Sequence, residues 1–132
     1  REMGCNKSAH KVELPPKKAD LEEDIFTHPT LLFRYSAITF NGHRIHYDYE
    51  YCRKEENYKD LVFHGPLQAT LLLRASERLV NKKAKKFIHK GHAPVFANEY
   101  LKIQAILLNQ NEIASFTSTK NSGLTMSGKA YF

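Results

Sequence analysis

A short polar stretch between residues 40 and 48 carries the side chains best suited to chemistry. It reads Phe-Asn-Gly-His-Arg-Ile-His-Tyr-Asp. His46 is the natural acid–base group in this stretch because an imidazole titrates near neutral pH. Asn41 can orient a water molecule, but its amide cannot carry a proton at neutral pH. On the residue types alone, a structural role for His46 in a loop is the simpler interpretation.

A second stretch, His-Gly-Pro-Leu at residues 64–67, opens the longest helix that the sequence predicts. Pro66 has no N–H group and therefore fits the first turn of a helix, where that group would lack a partner. The apolar residues that follow, from Leu67 to Ala75, predict a helix to about residue 81 that is covered on more than one side. His64 is expected to cap this helix or to pack at its start.

A metal site is an alternative interpretation of the first stretch. His43 and His46 are three residues apart, with Asp48 close by, and two histidines with one carboxylate form a legitimate ligand set. We rank this alternative below an acid–base role because the sequence places no further ligand. The prediction is therefore that the site holds no metal.

The flanking segments predict helices first and an antiparallel meander afterwards. Pro29 marks a helix start, and Asn41-Gly42 is expected to end that helix. The acidic residues 20–27 are typical of a helix first turn, and residues 47–56 predict a short helix. Strands are predicted at residues 87–89, 99–108 and 112–119 and then to residue 132, with turns at 109–111 and 121–123. A weaker alternation at residues 10–14 indicates another strand. This order predicts an α+β layer architecture.

Composition bounds the class of protein without choosing a function. The chain has 132 residues, which suits one domain, and a net charge of +6. That charge is compatible with nucleic acid, an anionic surface or a phosphate-rich ligand. The longest apolar cluster is too short for a membrane helix. The cysteines Cys5 and Cys52 have no metal-binding spacing, and free thiols are favoured over a disulfide between them.

Taken together, the two stretches resemble MaoC-like (R)-specific enoyl-thioester hydratases. The closest resemblance is to the branch of mitochondrial-type 3-hydroxyacyl-thioester dehydratases and mesaconyl-type CoA hydratases, and Ala-Pro-Val-Phe at residues 93–96 supports it. The resemblance covers residues 26–132 and leaves residues 1–25 as an arm or linker. It implies a hot-dog fold, in which an antiparallel sheet wraps around one long buried helix. It also implies the catalytic, C-terminal half of a longer protein, which pairs with an upstream half or with itself as a homodimer.

The resemblance implies reversible hydration of 2-enoyl thioesters to 3-hydroxyacyl thioesters. His46 is then the general acid–base, and the Gly65 N–H at the helix start stabilises the thioester oxyanion. Asn41 stands where the wider family has Asp, so His46 would carry both proton transfers. No cofactor is expected beyond the thioester of CoA or acyl carrier protein. The residues predicted to bind that substrate are Phe40, Arg44, His64 and Leu67.

Three other functions stay open at this stage. Asn41 in place of Asp is compatible with a non-catalytic acyl-CoA-binding subunit, and hot-dog folds also host thioesterases, which depend on a carboxylate. A basic nucleic-acid-binding domain is less favoured because none of its motifs is present. We therefore expect neither nucleic acid nor a membrane as a partner, and a location in the cytoplasm or, alternatively, the mitochondrial matrix.

Overall fold

Five antiparallel strands and one long helix form the framework of the protein. The computed structural model describes residues 14–132. The strands are β1 (Leu21–Phe26), β2 (Lys86–Gly91), β3 (Tyr100–Asn109), β4 (Glu112–Thr119) and β5 (Gly123–Tyr131). The helices are α1 (Pro29–Ile38), α2 (Tyr49–Lys54) and α3 (Gly65–Val80), with a 3₁₀ turn at Arg44–His46. The α+β prediction is confirmed, as are the predicted long helix and the four predicted strands.

The sheet has the strand order β1-β3-β4-β5-β2. Consecutive hairpins join β3 to β4 and β4 to β5, as the turn residues predict. Strands β1 and β2 add to opposite edges by pairing with β3 and β5 respectively. Both edge strands therefore come from segments far from their partners in the sequence.

The first strand contradicts the interpretation of residues 20–27 as a helix start. Leu21–Phe26 pairs along β3, and the predicted boundary at residue 26 falls on the last residue of this strand. The acidic side chains face a basic partner across the sheet, since Lys102 Nζ lies 2.7 Å from Glu22 Oε1. Their charge is therefore matched by a neighbouring strand, and not by a helix N-terminus.

Helix α3 packs its apolar side against the sheet. Leu72 and Ala75 lie fully buried in a cluster with Ile103, Ile113 and Met126. Full burial of a large aliphatic side chain contributes roughly 1.5–3 kcal/mol, so this contact stabilises the packing of the helix on the sheet. Helix α3 ends where Asn81 adopts a left-handed conformation at φ 54°.

Helix α1 is where the structure departs most from the sequence prediction. It ends at Ile38, before Asn41-Gly42, and Phe40 takes the left-handed conformation at φ 53°. Its buried positions are Leu32 and Ser36, whereas Ile38 is 74% exposed. The buried face of α1 is thus the one that carries Leu32, which belongs to the core cluster, and Ser36, which contacts His64.

The remaining predictions concern the termini and the cysteines. Most of the strand predicted at residues 10–14, and also Cys5, lie outside the described residues. Cys52 is a buried free thiol whose Sγ lies 3.0 Å from the carbonyl oxygen of Ile45. No helix within residues 14–132 combines the length and the apolar character that crossing a membrane requires.

Candidate active site

The His46 ring is held by the backbone and not by a carboxylate. The 3₁₀ turn presents it so that Nδ1 lies 2.6 Å from the carbonyl oxygen of Val62. A carbonyl oxygen only accepts hydrogen bonds, so Nδ1–H is the donor and the neutral ring keeps its lone pair on Nε2. Burial lowers the pKa of His46, the bond to Val62 opposes that effect, and the charge of nearby His43 lowers the pKa further. The ring is therefore a neutral base at neutral pH.

His64 packs directly against His46. The two rings stack with centroids 3.7 Å apart and an 18° interplanar angle. His64 immediately precedes α3, makes no side-chain cap, and is fully buried, so it packs at the helix start. Its Nε2 lies 2.8 Å from Ser36 Oγ, while its Nδ1 is buried without a hydrogen-bond partner. Burial and, secondarily, the charge of His46 lower the pKa of His64 to about 4.

Gly65 is the first residue of α3, adjacent in the chain to the His64 ring. Apart from its chain neighbours and its own helix backbone, a Cβ atom built on Gly65 would meet no heavy atom within 4 Å. Open space therefore lies over the start of the helix. The role of the Gly65 N–H as an oxyanion donor stays a prediction.

A cavity of about 310 Å³ opens beside this cluster. Asn41 lines it, and its Oδ1 accepts a hydrogen bond from the His43 N–H at 3.1 Å, so this bond does not use the amide N–H groups. His46 and His64 are not part of the cavity wall, but Ser36, which bonds to His64, is. The wall consists of Phe33, Ser36, Ala37, Phe40, Asn41, Gly42 and Tyr47.

The charged residues near the site are engaged with each other. Asp48 accepts the N–H of Tyr51 at the start of α2, and Arg44 donates to its carboxylate at 2.8 Å. These two bonds lower the pKa of Asp48. Asp48 therefore does not orient His46. Arg44 also lies over the Tyr51 ring at 4.5 Å, and its predicted contact with substrate stays a prediction.

The other predicted site residues divide between surface and core. The Phe40 side chain is 95% exposed at the cavity rim, whereas Leu67 belongs to the buried cluster around Leu32 and Phe63. Among residues 14–132, no group of three or more His, Cys, Asp or Glu side chains is arranged to hold a metal ion.

Two partners of the site escaped the sequence analysis. Val62 acts through its carbonyl oxygen, so its side chain carries no signal. Ser36 meets His64 across 28 positions of the chain, and no local pattern predicts that pairing. A serine on the buried face of α1 was the only available clue.

Comparison with known proteins gives a family and three curated relatives, two of which are more than 40% identical to this chain over the matched residues. The family model described as hydroxyacyl-thioester dehydratase type 2 matches residues 1–97. Mesaconyl-C(4)-CoA hydratase of Chloroflexus aurantiacus is 45% identical over 85 residues, which cover 64% of this chain and 30% of that protein. The mitochondrial hydroxyacyl-thioester dehydratase type 2 of Schizosaccharomyces pombe is 41% identical over 78 residues, covering 57% and 26%. The chain thus matches less than a third of the length of each of these two relatives.

Solved structures share the fold. A MaoC-like dehydratase from Phytophthora capsici superposes with a TM-score of 0.74 at 16% identity, covering 100% of this chain and 44% of that one. A chain of the ChsH1–ChsH2 complex from Mycobacterium tuberculosis superposes with a TM-score of 0.70 at 15% identity, covering 89% and 91%. The architecture is therefore the hot-dog fold that the sequence resemblance implies.

Proposed function

This chain belongs to the hydroxyacyl-thioester dehydratase type 2 family, and on that premise we propose that it catalyses the reversible hydration of 2-enoyl thioesters to 3-hydroxyacyl thioesters. One observation carries the proposal. His46 is a neutral imidazole, oriented through Nδ1 by the Val62 carbonyl and stacked on the residue that precedes α3. A general base needs this combination of a fixed ring, a free lone pair and a neighbouring site for the developing charge.

In the hydration direction, His46 Nε2 takes a proton from water while the water oxygen forms a bond to C3 of the substrate. The C2–C3 double bond opens, and its electrons move to the thioester oxygen as an enolate. The same imidazolium then returns the proton to C2. Because Asn41 cannot exchange a proton, one ring serves both transfers. The N–H groups of Asn41 are free to hold the water oxygen.

Stabilisation of the enolate is assigned to the Gly65 N–H. Backbone N–H groups in the first turn of a helix have no partner within the helix and lie at its positive end. The open space over Gly65 gives a thioester room to approach. An oxyanion donor of this kind contributes about 10²- to 10³-fold in rate.

The substrate carrier is CoA or acyl carrier protein. The proposed substrate contacts are Phe40, which lines the cavity, together with Arg44, His64 and Leu67. The cytoplasm and the mitochondrial matrix both stay predictions for its location, and one matched relative is named as mitochondrial.

A second hot-dog unit is proposed to complete the site. Large apolar side chains are exposed at the cavity, namely Phe33 at 60% and Phe40 at 95%, and Ile38 of the same helix as Phe33 is 74% exposed. Surfaces of this kind mark interfaces or ligand grooves. The unit is either a second copy of this chain or an upstream half of a longer protein.

A non-catalytic acyl-CoA-binding role is the alternative function. Two observations favour it: Asn41 stands where the wider family has a carboxylate, and His46 is not part of the cavity wall. A thioesterase is less favoured, because the carboxylate nearest in sequence to His46, that of Asp48, is paired with Arg44. The two enzyme activities differ in product, since a hydratase yields 3-hydroxyacyl-CoA and a thioesterase yields free CoA.

Crotonyl-CoA hydration by the purified chain tests the proposal. We expect turnover by the wild type, and a loss of about 10²- to 10⁴-fold in kcat for His46→Ala. His89→Ala, which removes an exposed histidine of β2, is the matched control and should keep the wild-type rate. A series of enoyl-CoA lengths, with sedimentation analysis of the oligomeric state, defines substrate and assembly. An inactive wild type, or a fully active His46→Ala, contradicts the proposal.

A further inference from the structure

Ser36 is a buried helical serine with an unusual partner. A hydroxyl on a helix commonly donates to the carbonyl four residues earlier, as Ser76 Oγ does to Leu72 at 2.9 Å. Ser36 Oγ instead has one side-chain hydrogen bond among the described residues, to His64 Nε2 at 2.8 Å. Ser36 is only 6% exposed, and the surface it keeps lines the cavity next to Asn41.

The direction of this bond follows from the other nitrogen of His64. If Ser36 donated its proton, His64 would be protonated on Nδ1, which is buried without a partner. A buried N–H donor without an acceptor is rarer than an acceptor that lacks a donor. Either tautomer leaves one donor without a protein partner, the sealed Nδ1–H in one case and the Ser36 O–H in the other. Ser36 lines the cavity, where water or a ligand can accept its proton, so the favoured tautomer carries the proton on Nε2 and donates to Ser36 Oγ.

We propose that Ser36 is a further active-site residue, whose hydroxyl donates a hydrogen bond to the oxygen of the water or hydroxyl group transferred at C3, and that His64 is the residue that positions it. This inference rests on the proposed function. The wall of the cavity then offers two donors side by side, the Asn41 amide and the Ser36 hydroxyl, to one ligand oxygen.

This arrangement compensates for the carboxylate that the site lacks. Asn41 and Ser36 together hold the oxygen, while the proton moves only to and from His46. His64 does not relay protons, because a proton gained at the Ser36 side has no exit at the unpartnered Nδ1. The pKa of His64, lowered to about 4, agrees with a ring that stays neutral during turnover.

Two serine variants test the role of the hydroxyl. Ser36→Ala should lower kcat/KM for crotonyl-CoA hydration by about tenfold, the effect of one hydrogen bond to a reacting oxygen. Ser76→Ala is the matched control, because it also removes a buried helical hydroxyl, and it should keep the wild-type kcat/KM. Equal rates for the two variants would overturn the inference. An inactive wild type would count against the proposed function instead.

The tautomers give a second test that needs no turnover. Nitrogen-15 NMR of the imidazoles at pH 7 should find the proton of His46 on Nδ1 and that of His64 on Nε2. Ser36→Ala should shift the His64 Nε2 signal, whereas Ser76→Ala should not. Finding His64 protonated on Nδ1 would mean that Ser36 donates to His64 and has no proton to offer a ligand, and would overturn the inference even if Ser36→Ala does not fold.

Discussion

At the scale of single residues, the protonation state of His46 depends on its hydrogen-bond partner, which is a carbonyl oxygen. A carboxylate at Nδ1 would orient the ring and also raise its pKa, because an opposite charge favours the imidazolium. The Val62 carbonyl orients the ring without adding a charge, and burial is the larger effect. The result is a base that is already unprotonated when substrate binds.

This environment predicts the pH dependence of the reaction. His46 must be neutral to accept a proton from water, and burial lowers its pKa below the ordinary 6.5. The plateau of kcat/KM for hydration should therefore extend below pH 6.5 before the rate falls with acid. A pH series with crotonyl-CoA measures the midpoint of that limb. A midpoint above pH 6.5 would contradict the assignment of His46 as a buried neutral base.

The backbone conformation of Phe40 lowers the stability of the fold, whereas its exposed ring is proposed to bind substrate. Its left-handed conformation costs about 1–2 kcal/mol for a residue with a side chain, and its ring is 95% exposed. Phe40→Asn should raise the free energy of unfolding by about 1 kcal/mol, because Asn tolerates this conformation, and it should raise KM if the ring contacts substrate. Phe40→Ala separates the two effects, since it removes the ring and keeps the strain. A stability gain in the Ala variant would contradict this explanation.

At the scale of secondary-structure elements, the N-terminus of α3 carries residues of the candidate site next to residues of the hydrophobic core. Pro66 and Gly65 open the helix, His64 packs against His46, and Leu67 enters the core two positions later. The first turn of α3 therefore fixes the helix in the core through Leu67 and borders the open space over Gly65. Substitutions there affect either the fold or the site, depending on which side of the helix they change.

Gly65→Ala separates these two effects. No heavy atom lies within 4 Å of the added Cβ, and Ala is a better helix residue than Gly, so the melting temperature should stay the same or rise. Under the proposed function, the methyl group would occupy the space through which the thioester approaches, so kcat/KM should fall at least tenfold. Gly91→Ala, where a Cβ also meets open space, is the matched control. A stable, fully active Gly65→Ala would remove Gly65 from the site.

At the scale of the whole molecule, the imidazole pair lies where α1, α3 and the 3₁₀ turn meet. Ser36 comes from the first of these, His64 precedes the second, and His46 belongs to the third. Charging either ring would place a cation among apolar side chains next to a second imidazole. The site and the stability of the fold are therefore linked through protonation.

This linkage predicts acid sensitivity of the fold. The unfolded chain takes up a proton on His64 near pH 6.5, while the folded chain resists until about pH 4. The free energy of unfolding should therefore fall as the pH is lowered through this window, by on the order of 3 kcal/mol from this residue. His64→Phe keeps a ring of similar size and should lose that part of the pH dependence. Urea denaturation of both proteins at pH 7 and pH 4.5 measures the difference, and identical dependences would contradict it.

The sequence alone predicted the structure correctly wherever residues close together in the chain determine it. Asn-rich turns ended the predicted strands β3 and β4, and Pro66 marked the start of α3, because turn and helix-start preferences are local. It was wrong for β1, whose acidic residues are matched by Lys102 on a strand about 80 positions away. It was also wrong about the end of α1, where the backbone bond from Asn41 N–H to the Ser36 carbonyl spans Phe40 in a left-handed conformation that its own preference opposes.

What the sequence by itself determined is the set of reactive residue types and their order along the chain: an imidazole at His46, an amide at Asn41, and a glycine at the start of a buried helix. Only the tertiary structure decided which nitrogen of His46 is free, that His64 supports the ring, and that Ser36 reaches His64 across 28 positions. The physical reason is that residue type sets what a group can do, whereas burial and hydrogen-bond partners set its protonation state and direction. Those partners come from distant segments that only folding brings together.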